Sequence, residues 1–228
     1  MKKSQQAFTL IELAMAVIII GLLVAGITSS STLLEGYKLN RIASDMQKYR
    51  LAFHNFKEKY DALPGDMDEA TSYFSGTANG NGDGIIDKTI PAEVFDAWQH
   101  LSLADMVDGN FDGTGAGSSG KMCTETACPT GPFNVYYFFR DDDNAAGVDL
   151  SQDNFLFYGG YNGDNFAVGP VITSFQAYHI DKKIDDGQAT QGFLWASTGS
   201  CVSSGEYVLT NDADVVCSQQ AYQIEKRN

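Results

Sequence analysis

The chain has 228 residues, with 15 Lys+Arg against 29 Asp+Glu and a net charge of −14 at neutral pH. So acidic a chain is unsuited to holding a phosphate backbone as its main activity, because such proteins present a basic face, and 43% hydrophobic with 19% charged residues excludes disorder by composition. At roughly 100–200 residues per domain the length admits one domain, with or without an appendage.

The charge is divided along the chain. Residues 1–60 carry 8 of the bases and 4 of the acids (Glu12, Glu35, Asp45, Glu58), a net of +4, and residues 61–228 carry 7 bases and 25 acids, a net of −18. The change falls at Leu63-Pro64-Gly65.

Met1 to Ala7 is a short basic leader with Lys2 and Lys3. From Phe8 to Ile27 the chain is almost wholly apolar, interrupted by Thr9 and Glu12. About 20 residues at a rise of about 1.5 Å span about 30 Å, the hydrocarbon thickness of a bilayer. The flanking lysines place the N-terminus on the cytoplasmic side and the acidic bulk outside. A secretory signal peptide is the competing reading, with a small-x-small site around Ala25-Gly26-Ile27-Thr28. Against it, the following segment reads as uninterrupted helix. Glu12 is the odd residue in the run: a carboxylate at membrane depth is costly unless paired, which makes it a functional residue by default, unless it reaches the interface near the helix end.

The helix pattern continues outside the apolar run. Leu39, Ile42, Met46, Tyr49, Phe53, Phe56, Tyr60 and Leu63 recur alternately three and four residues apart, one apolar seam, and Lys38, Arg41, Lys48, Arg50, Lys57 and Lys59 occupy the other faces. Pro64-Gly65 stops the pattern. One helix from about Phe8 to about Asp61, roughly 80 Å long, is expected.

Ala7-Phe8-Thr9-Leu10-Ile11-Glu12-Leu13, followed by the apolar run to Leu23, resembles the N-terminus of type IV pilins and type II secretion pseudopilins over about residues 1–60. The resemblance implies cleavage by a prepilin peptidase between Ala7 and Phe8, N-methylation of Phe8, and an assembly role for Glu12, which neutralises the Phe8 amine of a neighbouring subunit. Pairing suits the physics, since an ammonium and a carboxylate are each costly alone in lipid. Ala7 stands where the family usually has Gly, and the Pro that many pilins carry midway along the first helix is absent here. The implied divisions are a leader at 1–7, a transmembrane and assembly half-helix at 8–28, an amphipathic half-helix at 29–63 and a globular acidic head at 64–228. The fold class is α+β: a long N-terminal helix and a small mixed head with an antiparallel sheet.

In the head, Asp66 with Glu69 has the spacing of a capping box, and a short helix to about Phe74 follows. A Gly/Asn/Asp-rich loop covers Ser75–Asp87. Pro91 opens a helix whose apolar face is Val94, Phe95, Trp98, Leu101 and Met106, ended by Asp108-Gly109. Residues 109–132 read as loop. Phe133–Phe139 and Phe155–Tyr158 read as aromatic strands, with Phe193–Trp195 and Tyr207–Leu209 as the last two. Thr173 to Gln176 opens a second capping-box helix, lined by Ala177, Ile180 and Ile184 and capped by Gly187. The phrases Leu63-Pro64-Gly65-Asp66 and Ile180-Asp181-Lys182-Lys183-Ile184-Asp185-Asp186-Gly187 resemble larger pilin-like proteins. Four cysteines in an exported head make two disulfides the expectation. Three pairings are possible. The local one, Cys123–Cys128 with Cys201–Cys217, is taken, and the resemblance also implies a C-terminal disulfide loop.

One run carries ligand chemistry. Asn79, Asn81 and Asp83 occupy the first, third and fifth positions of a Ca²⁺-loop pattern, with Gly84 sixth and Asp87 ninth. The acid of the twelfth position is replaced by Ile90, and Glu93 is in reach from the following helix. A plain Asn-Gly turn is the alternative. No cofactor is expected, save a structural Ca²⁺ if this run binds the ion. Asp141-Asp142-Asp143-Asn144, with Asp149 and Asp153, reads as solvated loop. Gly115–Lys121 matches most of a phosphate-binding loop, but Met122 replaces the needed Ser or Thr and no strand precedes it. His54, His100 and His179 fit no zinc pattern, and no nucleophile motif is present, so an enzyme is not expected. The resemblance implies a structural subunit of a type IV pilus or type II secretion pseudopilus. Its partners are related pilins, the peptidase and the inner-membrane assembly platform, and it is located first in the inner membrane and then in a periplasmic or extracellular filament. A minor or tip pilin acting in adhesion or DNA uptake is the alternative, separable by copy number in purified filaments.

Overall fold

The computed structural model describes residues 8–145, 148–161, 163, 166, 169–196, 201–209 and 216–225, with backbone alone at 26–32, 91, 142–145, 148–152, 216, 219 and 225. The first helix, α1, runs Leu10–Tyr60. The chain divides into two compact units, residues 1–38 and 39–228.

From Leu10 to Ala25 the helix is apolar apart from Glu12, and Leu10, Ile11, Leu13, Val17, Ile20 and Leu22 are all exposed. Among the described residues no helix is long and apolar enough to cross a membrane; the apolar run is described with its side chains only as far as Ala25.

The second unit begins where the seam begins. Leu39, Ile42, Met46, Tyr49, Phe53, Phe56 and Leu63 are buried, and Tyr60 is half-buried against them. The seam meets Trp98, which lies edge-on to Tyr49 at 4.9 Å and against Phe139 at 4.5 Å. Each fully buried side chain of this size contributes roughly 1.5–3 kcal/mol. Because so much of the seam is aromatic, this half of α1 is part of the head's core.

The short helix α2 is Ala70–Tyr73, with Glu69 at its N-cap and no side-chain cap bond. The Asp66–Glu69 capping box is therefore not formed: the Asp66 carboxylate is taken by the amides of Asp83 and Gly84, at 3.0 and 2.9 Å. Helix α3, Pro91–Leu103, starts on its proline and stops earlier than Asp108-Gly109. The Ala104 N–H closes it on His100 O, and Asp105 turns left-handed at φ 58°, which leaves Met106 beyond the helix. Helix α4, Ser174–Ile184, has the expected capping box, with Thr173 Oγ1 accepting from the Gln176 amide and Gln176 Oε1 from the Thr173 amide.

Strands β1 (Tyr136–Ala145), β2 (Val148–Gly159), β4 (Leu194–Ala196) and β8 (Gln219–Glu225) form an antiparallel sheet in the order β1-β2-β8-β4. Two-stranded pairs join β3 (Ile172–Thr173) to β7 (Val216–Cys217) and β5 (Val202–Ser203) to β6 (Glu206–Tyr207). The register sets Phe138 opposite Phe157 and Leu156 opposite Tyr222. Three sequence expectations change here. The first strand begins at Tyr136, because Phe133 and Asn134 adopt φ 61° and 58°. The acidic stretch Asp141–Asn144 lies on β1, paired with β2 up to Asp149, not in a loop: cross-strand backbone bonds outweigh its weak strand propensity. The strand expected at Tyr207–Leu209 is confined to Glu206–Tyr207.

Candidate functional site

At the N-terminal end, Thr9 and Glu12 bond reciprocally. Glu12 Oε2 accepts from the Thr9 amide at 2.9 Å and from Thr9 Oγ1 at 2.7 Å, and the Glu12 amide donates to Thr9 Oγ1 at 3.3 Å. This is a capping box at the start of α1. Its signal in the sequence is Thr-x-x-Glu before an apolar run. Phe8 is exposed beside it, and Ala7 with the rest of the leader lies outside the described residues.

In the head, polar chemistry gathers around α3. From Glu93 to Leu101 every residue of this helix is buried, so its polar positions are internal. Glu93 Oε2 accepts from the Asp87 amide at 3.0 Å. Burial foremost, with the nearby Asp66 and Asp83 charges, pushes the Glu93 carboxyl up to about 7. Asp66 is also held above the usual carboxylate range by burial, against the amides that bond it. These two acids organise the loop 79–87. Of the residues expected to hold Ca²⁺, Asn79 Oδ1 accepts from the Thr71 amide at 2.8 Å, and Asp87 Oδ1 accepts from the Thr89 amide at 2.6 Å. Asn81 and Asp83 bond to each other, the Asn81 amide nitrogen donating to Asp83 Oδ2 at 3.0 Å. A cavity of about 300 Å³ opens beside them, lined by Lys57, Asp61, Asp66, Asp68, Gly82 and Asn154 among others.

His100 shows why a buried histidine need not be a ligand. Its Nδ1 accepts from the Gly65 amide at 3.0 Å, and its Nε2 lies 2.9 Å from Thr77 Oγ1. Burial lowers it to about 4, so the ring is neutral at pH 7. His54 and His179 pack on Phe53 and Phe175 at 5.8 and 4.3 Å.

A second polar network crosses the sheet. Tyr207 Oη donates to the fully buried Asp181 at 2.7 Å, Gln220 Nε2 donates to Tyr207 Oη, and Tyr158 Oη bonds Gln220 Oε1. Asp181, Asp185 and Asp186 each place one oxygen within 4.8 Å of the others. Those carboxylates are engaged by Tyr207 and by the amides of Gly187, Leu194 and Gln188.

The disulfides join Cys123 to Cys128 and Cys201 to Cys217, with Cα separations of 5.5 and 4.9 Å. The second ties the start of β5 to the end of β7. The glycine-rich run is a turn closed by an Ala116–Met122 bridge. Lys121 lies 5.8 Å over the Phe166 ring, and no helix follows it.

No curated protein and no solved structure matches the chain. Residues 2–28 match the family model described as the prokaryotic N-terminal methylation motif. The Phe8–Thr9–Glu12 end of α1 and the apolar run behind it thus form an N-terminal methylation motif of the kind typical of type IV pilins and pseudopilins.

Proposed function

We propose that the chain is a prepilin, cut between Ala7 and Phe8, N-methylated at Phe8 and polymerised through α1 into a type IV pilus or type II secretion pseudopilus. The observation that carries this is the motif at residues 2–28, backed by the exposed apolar surface of α1 from Phe8 to Val24. Exposed apolar patches of this kind mark interaction surfaces. The run Phe8–Ile27 holds the subunit in the inner membrane before assembly, with the head outside, and its neighbours in the filament then replace lipid. Its partners are related pilins, the prepilin peptidase and the assembly platform. Intact-mass and N-terminal peptide analysis of exported protein tests this. A methylated Phe8 terminus is expected, and a mature terminus after residue 24 would make the apolar run a signal peptide and remove the filament reading.

We also propose that the loop 79–87 binds Ca²⁺ through Asn79, Asn81, Asp83 and Asp87, with Glu93 as the carboxylate missing from the twelfth position. Supporting this are the buried Glu93 carboxyl bonded to the loop and the acids Asp66 and Asp83 beside it. A ligand bound only by the folded state stabilises by about 2.7 kcal/mol at a hundredfold excess over Kd. Millimolar Ca²⁺ is therefore expected to raise the melting temperature above that in chelator, and Asp83→Ala to shrink the rise. Identical melting in chelator, Mg²⁺ and Ca²⁺ would leave the loop as a turn.

A further inference from the structure

The loop after α3 carries a second oxygen-rich run that shares no residue with 79–87. Asp108-Gly109-Asn110-Phe111-Asp112-Gly113 has oxygen side chains at the first, third and fifth positions and glycine at the sixth. Gly113 has φ +70°, in the left-handed region that a side chain strains to enter. Space excludes a side chain as well: a Cβ on Gly113 would overlap Asp96 Oδ1 and lie 2.8 Å from Gln99 Oε1. Two side-chain oxygens from successive turns of α3 therefore converge on the backbone of the sixth position.

Nothing among the described residues neutralises that pair. Asp96 is 5% exposed, yet its carboxylate accepts no hydrogen bond and meets no cationic side chain. Gln99 is fixed by its Nε2, which donates to Gly76 O at 3.1 Å, and this leaves Oε1 turned toward Gly113. Lys48 is the cation bonded to this loop, but it is committed to Asp108, with Nζ 2.5 Å from Oδ2. Native structures pair buried carboxylates with donors, cations or metal ions.

We propose that Asp96 and Gln99 of α3, with Asp112 and the loop carbonyls around Gly113, form a second Ca²⁺ site. The donor set is mixed carboxylate, amide and backbone oxygen on a glycine-turned loop, the kind that suits Ca²⁺ better than the rigid octahedron of Mg²⁺. Asp108, held by Lys48, stands outside the set. Ca²⁺ here joins the middle of α3 to the loop that covers it, so this part of the head tightens in the presence of the ion.

Equilibrium dialysis of Ca²⁺ against the full-length protein in detergent tests this, carried out in an Asp83→Ala background so that the fate of the first loop does not decide the outcome. Adding Asp96→Asn is expected to lower the bound Ca²⁺ by one ion per chain, with near-ultraviolet circular dichroism unchanged. Asp112→Ala, at an exposed position, is expected to weaken the same binding at least tenfold, and it serves if the Asp96 variant fails to fold. Unchanged Ca²⁺ uptake in a folded Asp96→Asn protein, or unchanged affinity in Asp112→Ala, overturns the site. So does a parent that takes up no Ca²⁺, which would leave Asp96 a buried acid holding a proton.

Discussion

Replacing Glu12 by Val is expected to leave the protein stable in the membrane but to cut its incorporation into filaments by at least about a hundredfold. Removing one member of a buried ion pair costs roughly 3–5 kcal/mol, since the remaining charge stays unpaired, and each ~1.4 kcal/mol is about tenfold in an equilibrium. In the proposed assembly the charge left behind is the Phe8 amine. The structure adds a control, because Glu12 also caps α1 through Thr9. Glu12→Gln keeps the oxygen that accepts from Thr9 and loses only the charge. If pairing to the amine drives assembly, the Gln and Val variants fail alike. If the cap is what matters, Gln assembles normally and Val loses only the ~1 kcal/mol of a helix cap. Counting tagged subunits in sheared filaments separates these outcomes, and normal incorporation of both variants would end the pairing role.

The head is expected to owe a pH-dependent part of its stability to Asp181. Burial, and then the neighbouring Asp186 and Asp185, push this carboxyl up to about 7, against the hydrogen bonds from Tyr207 and the Gly187 amide. An unfolded Asp titrates near 3.9. Between those values the folded state binds more protons than the unfolded one, so stability is fully present below about pH 4 and is lost as pH rises through about 7. With discounting for the polar network around it, the loss amounts to roughly 2 kcal/mol. Asp181→Asn keeps an acceptor for Tyr207 and has no proton to lose. In chelator, the difference in melting temperature between Asp181→Asn and the parent should therefore grow from pH 5 to pH 8, by roughly 4–8 °C for a unit of this size. A difference that stays constant across this range would mean that Asp181 does not titrate there.

Much of the architecture could be read from residues whose local and global preferences agree. The seam from Leu39 to Leu63 has one period and one partner, and it is buried nearly throughout. Pro91 starts α3 and Thr173–Gln176 caps α4, because those features act within one turn of helix. What could not be read depends on distant partners. Gln219–Glu225 has weak strand propensity and no clean alternation, and it is a strand because β2 and β4 lie on either side of it. The candidate sites divide in the same way. The N-terminal motif is a local string. Asp66, Glu93 and Asp96 gain their meaning from burial, and α3 looks amphipathic only until its second side is found to be covered as well.

The strand order has a consequence for synthesis. β8 is the last strand among the described residues but lies inside the sheet, hydrogen-bonded to β2 on one side and β4 on the other. Without β8 both neighbours would present bare edges, and bare edges invite aggregation and proteolysis. Sheet closure therefore waits on β8: a head that lacks this strand cannot hide its unfinished state, whereas its hydrophobic N-terminal helix would look the same with or without it.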